Sequence, residues 1–113
     1  MRSPITTHIL DTNLGKPAVN VACVLFRKEN NQWSQIASGK TNSDGRIVDW
    51  MEETERQAGI YRIEFDTDGY FDVLGQHCFY PSVSIDFRIV AINEHYHVPL
   101  LLTAFGFSTY RGS

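Results

Sequence analysis

Polar and apolar residues alternate along much of this chain, and that period of two limits its fold more than any other feature. Val83, Ile85, Phe87 and Ile89 alternate with Ser84, Asp86 and Arg88, and Tyr61, Ile63 and Phe65 share one side of the run Ile60 to Phe65. A strand sends successive side chains to opposite faces, so both runs predict half-buried β-strands. Val19 to Phe26 is apolar on both faces and predicts a more central strand. Ile5 to Leu10 and Trp33 to Ser38 are shorter strand candidates. Turn-forming residues fall between these runs at Asn13 to Pro17, Asn30-Asn31, Asn42 to Gly45, Asp66 to Gly69 and Pro81. Many short strands with frequent turns predict an all-β sandwich or barrel.

Residues 50–58 break the period and predict one short helix of about two turns. Asp49 stands three residues before Glu52, as in a capping box. Glu52, Glu53 and Glu55 precede Arg56, an order that suits the helix dipole, and Gly59 supplies a stop. A solvated, capped helix accounts for the glutamates without a catalytic role.

With 113 residues, one domain over 1–113 is expected. A chain of this mass exposes roughly 6,300 Å² when folded and roughly 18,700 Å² when unfolded. That surface ratio allows one core but leaves little chain to enclose a deep pocket. A net charge of −3 argues against a dedicated nucleic-acid binder, which carries a basic patch. No run approaches the roughly 20 apolar residues of a membrane span, and Met1 to Leu10 has no apolar core of a signal peptide. The expected location is cytoplasmic, or periplasmic if a signal peptide was removed. Cys23 and Cys78 are too few for a disulfide scaffold and predict buried free thiols.

The histidines carry most of the candidate chemistry. His95 and His97 are two apart, so on a strand both rings leave the same face. Imidazole suits proton transfer near neutral pH and also binds metals, so a general base and a ligand pair are both open here. Two ordinary surface histidines are an equal alternative. Pro99 follows and predicts an edge or a bulge, because it cannot donate to a ladder. His8, among Ile5, Ile9 and Leu10, reads most simply as a strand histidine bonded to a neighbour. Arg46 leaves a turn, where a guanidinium is either solvated or a clamp for an anion or polar ring. The last residues, Phe105 to Ser113, are rich in aromatic side chains, so they can pack.

Together, Thr6-Thr7-His8-Ile9-Leu10-Asp11, Thr41 to Arg46, His95-Tyr96-His97-Val98-Pro99 with Leu100 to Leu102, and Tyr110-Arg111-Gly112-Ser113 resemble the 5-hydroxyisourate hydrolases, transthyretin-like enzymes of urate breakdown. The motifs span nearly the whole chain, and the last four residues are the most specific. The resemblance implies a transthyretin-like sandwich of two four-stranded sheets with one short helix. It also implies a homotetramer whose sites lie between subunits. His8, Arg46 and His97 match the family's active-site residues, and Tyr110 and Ser113 match its functional C-terminus. His95 matches a family position to which no catalytic role is assigned. The family commonly continues Leu-Leu-Leu-Ser-Pro, whereas this chain has Thr103-Ala104, so Thr103 stands as a substrate-binding residue in an altered pocket edge.

The implied reaction opens a cyclic amide by attack of water on a ring carbonyl. His8 or His97 is expected to activate the water, Arg46 to hold the ring and the developing oxyanion, Tyr110 to position substrate, and the Ser113 hydroxyl or carboxylate to fix a histidine or the water. No metal or other cofactor is expected. Two alternatives stand beside this: a non-catalytic carrier of small aromatic ligands, and a metal-dependent hydrolase using His8, His95 and His97.

Overall fold

The computed structural model describes residues 3–52 and 56–113. The strands are β1 (Ile5–Asp11), β2 (Lys16–Pro17), β3 (Ala22–Glu29), β4 (Gln32–Lys40), β5 (Arg46–Ile47), β6 (Gly59–Phe65), β7 (Val83–Ile89), β8 (Tyr96–Leu102) and β9 (Phe107–Thr109), and the helix α1 (Thr67–Val73) joins β6 to β7. They form two sheets, one ordered β4-β3-β6-β7 and one ordered β2-β1-β8-β9 with β5 also paired to β1. The second sheet therefore has five strands where four were expected, the addition being the two-residue β5.

The alternating runs behave as their pattern predicts. Tyr61, Ile63 and Phe65 of β6 are fully buried, and β3 lies inside its sheet with Cys23 and Leu25 against the core. From the facing sheet come Ile5, Ile9, Leu100 and Leu102. Each such side chain contributes about 1.5–3 kcal/mol by leaving water. Asn30 and Asn31 both take positive φ, 52° and 63°, as a two-residue hairpin turn requires between β3 and β4.

The helix does not lie where it was expected. Residues 50–52 and 56–58 are non-helical, and residues 53–55 of the expected helix, with Glu53 and Glu55, lie outside the described residues. The helix starts instead at the Asp66 to Gly69 segment, which reads as a turn. Asp66 is its N-cap and accepts a hydrogen bond from the Gly69 amide at 3.0 Å. A Cβ on Gly69 would meet Asp66 Oδ2 at 2.5 Å, so glycine inside the first turn is what admits this cap. At the other end the Gln76 amide donates to Phe71 O and Gly75, at φ +70°, to Asp72 O, a Schellman stop.

Pro99 also differs from expectation. Strand β8 is internal, flanked by β1 and β9, and no bulge interrupts it. Strand β9 pairs only with Leu100 to Leu102, and contact resumes at the His97–Gly112 bridge. Pro99 O accepts from Thr109 Oγ1 at 2.7 Å, so its backbone faces β9. The missing N–H thus falls in the gap between ladder and bridge, where none is needed.

Candidate active site

One surface of the β1–β5–β8 sheet gathers the functional side chains. Strands β1 and β8 run parallel, with Thr6 opposite His97 and His8 opposite Pro99. On its other side β1 pairs antiparallel with β5, which sets His8 opposite Arg46. Period two turns Ile5, Thr7 and Ile9 into the core, and Thr6 and His8 outward. Likewise Tyr96 and Val98 of β8 are buried, while His97 is half-exposed on the outer face. The strand register alone therefore brings together Thr6 and His97, 91 residues apart.

Turn chemistry places Arg46. Asn42 Oδ1 accepts from the Asp44 and Arg46 amides at 2.9 and 3.0 Å. Gly45 sits at φ +74°, and a Cβ there would lie 2.5 Å from Ile9 O. The close approach of this turn to β1 demands glycine, and it delivers Arg46 beside His8.

The resulting cleft of about 300 Å³ is lined by Thr6, His8, Arg46, Val48, His95, His97, Tyr110, Gly112 and Ser113. The His8 and His97 rings lie 6.5 Å apart, centre to centre. Partial burial holds the His8 imidazole below its ordinary value of 6.5, and the Arg46 charge adds to this, against a smaller opposing pull from Asp44. His8 is therefore neutral near neutral pH and able to accept a proton. His95 and His97 do leave the same face, with rings 6.3 Å apart. The Thr6 hydroxyl lies between them, 2.7 Å from His97 Nδ1 and 3.0 Å from His95 Nε2.

The last residues fold back over this face. The Gly112 amide donates to His97 O at 2.8 Å. Arg111 Nη2 reaches Glu94 Oε1 at 2.8 Å and His95 O at 3.4 Å, and its guanidinium lies 4.3 Å from the centre of the Tyr96 ring. A Cβ on Gly112 would stand 2.6 Å from His97 Cδ2. Glycine is thus required for the tail to lie against the imidazole, and Tyr110 and Ser113 reach the cleft on either side of it.

Of the residues expected at the site, His8, Arg46, His97, Tyr110 and Ser113 converge on the cleft. Thr103 does not line it. Thr103 belongs to the β8–β9 turn, where its Oγ1 donates to Gly106 O at 3.2 Å and accepts from the Phe105 amide. Sequence reasoning gave no role to Thr6, Arg111 or Gly112. The parallel register carries the signal for Thr6, and that register is not written in any local motif. Among the described residues, no group of three or more His, Cys, Asp or Glu is arranged to hold a metal ion. His97 Nδ1 and His95 Nε2 face the Thr6 hydroxyl instead. A second, more apolar cleft of about 330 Å³ shares His97 and Tyr110 and runs past Ile85, Phe87 and Val98. Its carboxylate, Asp86, is engaged by Arg62 at 2.6 and 3.0 Å. Cys23 is buried and Cys78 half-exposed, and both are free thiols.

Residues 5–112 match the HIUase/Transthyretin family. The chain is 46% identical to the 5-hydroxyisourate hydrolase of Salmonella dublin over 109 residues, covering 96% of this chain and 80% of that protein. It is 41% identical to the 5-hydroxyisourate hydrolase of Mus musculus over 113 residues, covering 98% and 96%. Among solved structures, sea bream transthyretin in complex with thyroxine superposes with a TM-score of 0.92 at 34% identity, covering 96% of this chain and 94% of that one. With the same two-sheet fold and matches along nearly its whole length, the chain belongs to the HIUase/Transthyretin family.

Proposed function

We propose that this protein hydrolyses 5-hydroxyisourate to 2-oxo-4-hydroxy-4-carboxy-5-ureidoimidazoline in urate breakdown, and that it works as a homotetramer whose clefts are completed between subunits. The observation that carries the reading is the convergence of His8, Arg46, His97, Tyr110 and Ser113 on one polar cleft. The names of the relatives support the same chemistry. A carrier of apolar rings has no use for two imidazoles, a guanidinium and a hydroxyl aimed at one volume.

Water attacks a ring carbonyl, its proton passes to an imidazole, and the ring C–N bond breaks as the nitrogen takes a proton back. The product is a carboxylate and a ureido group. A base matched to neutral pH contributes about 10²- to 10⁴-fold to such a step. His8, neutral near pH 7, and His97 are the two groups suited to the proton transfers. Arg46 offers a planar fork of donors to the substrate oxygens and to the negative charge that grows on the carbonyl. Tyr110 forms one wall for the ring, and the Ser113 hydroxyl orders water or imidazole.

The tetramer reading rests on the openness of the cleft. Tyr110 is 58% exposed, and the cleft lies on an outer sheet surface rather than in an enclosed cavity. A second subunit across this surface would exclude water and strengthen every charge interaction in it. Sedimentation tests the assembly: a tetramer at assay concentration is expected, and an active monomer refutes it. The reaction is tested by generating 5-hydroxyisourate from urate and following its transient ultraviolet signal. Faster decay with the protein than in buffer is expected, with loss of that acceleration when residues 110–113 are removed. Decay no faster than buffer, with retained binding of aromatic rings, would favour a carrier.

A further inference from the structure

The Thr6 hydroxyl presents an accounting problem with a chemical answer. It has one proton and lies within hydrogen-bond distance of two imidazole nitrogens, His97 Nδ1 at 2.7 Å and His95 Nε2 at 3.0 Å. It donates to one ring and must accept from the other. The tautomers of the two rings are therefore linked. When Thr6 donates to His95, His97 carries its proton on Nδ1 and presents an unprotonated Nε2. When Thr6 donates to His97, the Nε2 of His97 carries the proton.

We propose that Thr6 and His95 are positioning residues that set the tautomer of His97, holding Nε2 as the proton acceptor toward substrate. This rests on the hydrolytic reading above. In the resting state His97 Nδ1–H donates to Thr6 Oγ1, and Thr6 O–H donates to His95 Nε2. As His97 Nε2 takes the proton of the attacking water, its Nδ1 proton moves to Thr6 Oγ1 and the Thr6 proton moves to His95 Nε2. The number of protons is conserved, and the positive charge moves from the ring facing substrate to His95. The reverse shift returns a proton through His97 Nε2 to the leaving nitrogen.

The surroundings suit this arrangement. Thr6 is 1% exposed, so no bulk water competes for its hydroxyl. Strand register fixes it directly opposite His97, and Thr7 beside it is anchored by donation to Val98 O at 2.6 Å. Among the described residues, His8 on β1, Arg46 on β5, and Tyr110 and Ser113 from the tail line the same cleft as His97. Glu94, next to His95, is held by Arg111.

The test combines nitrogen NMR of histidine-labelled protein with steady-state kinetics. Wild type is expected to show His97 as the Nδ1–H tautomer. Thr6→Val keeps the shape and removes the hydroxyl, and is expected to mix the two His97 tautomers and lower kcat by about tenfold or more with KM little changed. His95→Ala is expected to do the same, and Thr6→Ser to restore both signals. Thermal melts confirm that each variant is folded, and His95→Ala, whose ring is only half-buried, carries the test if Thr6→Val does not fold. An unchanged His97 tautomer with unchanged kcat in either folded variant overturns the proposal. A wild type that opens no substrate overturns the hydrolytic reading, while the tautomer spectra still decide whether Thr6 links the two rings.

Discussion

Replacing Gly112 with alanine should disable the cleft while leaving the fold intact. The added Cβ would lie 2.6 Å from His97 Cδ2, 3.3 Å from His97 Cγ and 3.2 Å from Pro99 Cγ. Pro99 is a rigid ring in the middle of β8, so it cannot move aside. Relief to an ordinary contact of 3.4 Å needs about 0.8 Å of movement, taken by the imidazole or by the tail. Either choice spoils the cleft, because the tail carries Tyr110 and Ser113 while the imidazole carries the reacting nitrogen. A misplacement of about 1 Å at a reacting group costs on the order of 10²-fold, or about 2.7 kcal/mol of transition-state stabilisation. The stability cost is small by comparison, since the tail contributes one backbone bridge here. The assay pairs kcat/KM from 5-hydroxyisourate decay with a thermal melt. A loss near 100-fold with little change in Tm is expected. A Gly112→Ala variant with wild-type kcat/KM refutes the close-approach reasoning.

Three further outcomes follow from the same geometry. Burial and Arg46 both lower the His8 pKa, so the acid limb of a step needing neutral His8 is centred below the ordinary histidine value. Arg46→Ala removes one of those two causes, so its pH–rate profile should show that acid limb moved up toward 6.5, together with a fall in kcat/KM. Tyr70→Phe deletes the donor 2.7 Å from the buried Asp11 carboxylate, which keeps the Asn13 and Leu14 amides. That loss should cost about 1.5–3 kcal/mol, seen as a Tm lowered by roughly 4–8 °C per kcal/mol, with kcat at 25 °C unchanged. Removing residues 110–113 should abolish turnover but leave the two-sheet core, because Phe107 to Thr109 still pair with β8, and circular dichroism checks the second half.

The strands were legible because a half-buried sheet imposes period two on its sequence, as in Tyr61-Ile63-Phe65 and Val83 to Ile89. The helix was not. Its cap, Asp66, and the glycine that admits the cap, Gly69, are the same residue types that build turns, and α1 is too short to display a helical period. The acidic residues Glu52, Glu53 and Glu55 carry the stronger local helix signal, and local signals do not register tertiary packing. Pro99 departs from expectation for a related reason. A proline marks a place without a ladder partner, and a sequence does not say whether that place is a sheet edge or a gap within one. His8, Arg46, His97, Tyr110 and Ser113 were found through a resemblance spread over the whole chain. Thr6 and Gly112 were not, since their importance comes from distances across β1, β8 and the tail.

The most direct measurement compares 5-hydroxyisourate decay in buffer, with wild type and with His97→Ala at equal concentration, each protein shown to be folded. Wild type should accelerate the decay well beyond buffer, and His97→Ala should fall back by about 10²-fold or more. Decay with wild type that matches buffer, or full activity in His97→Ala, would contradict a hydrolytic centre in this cleft.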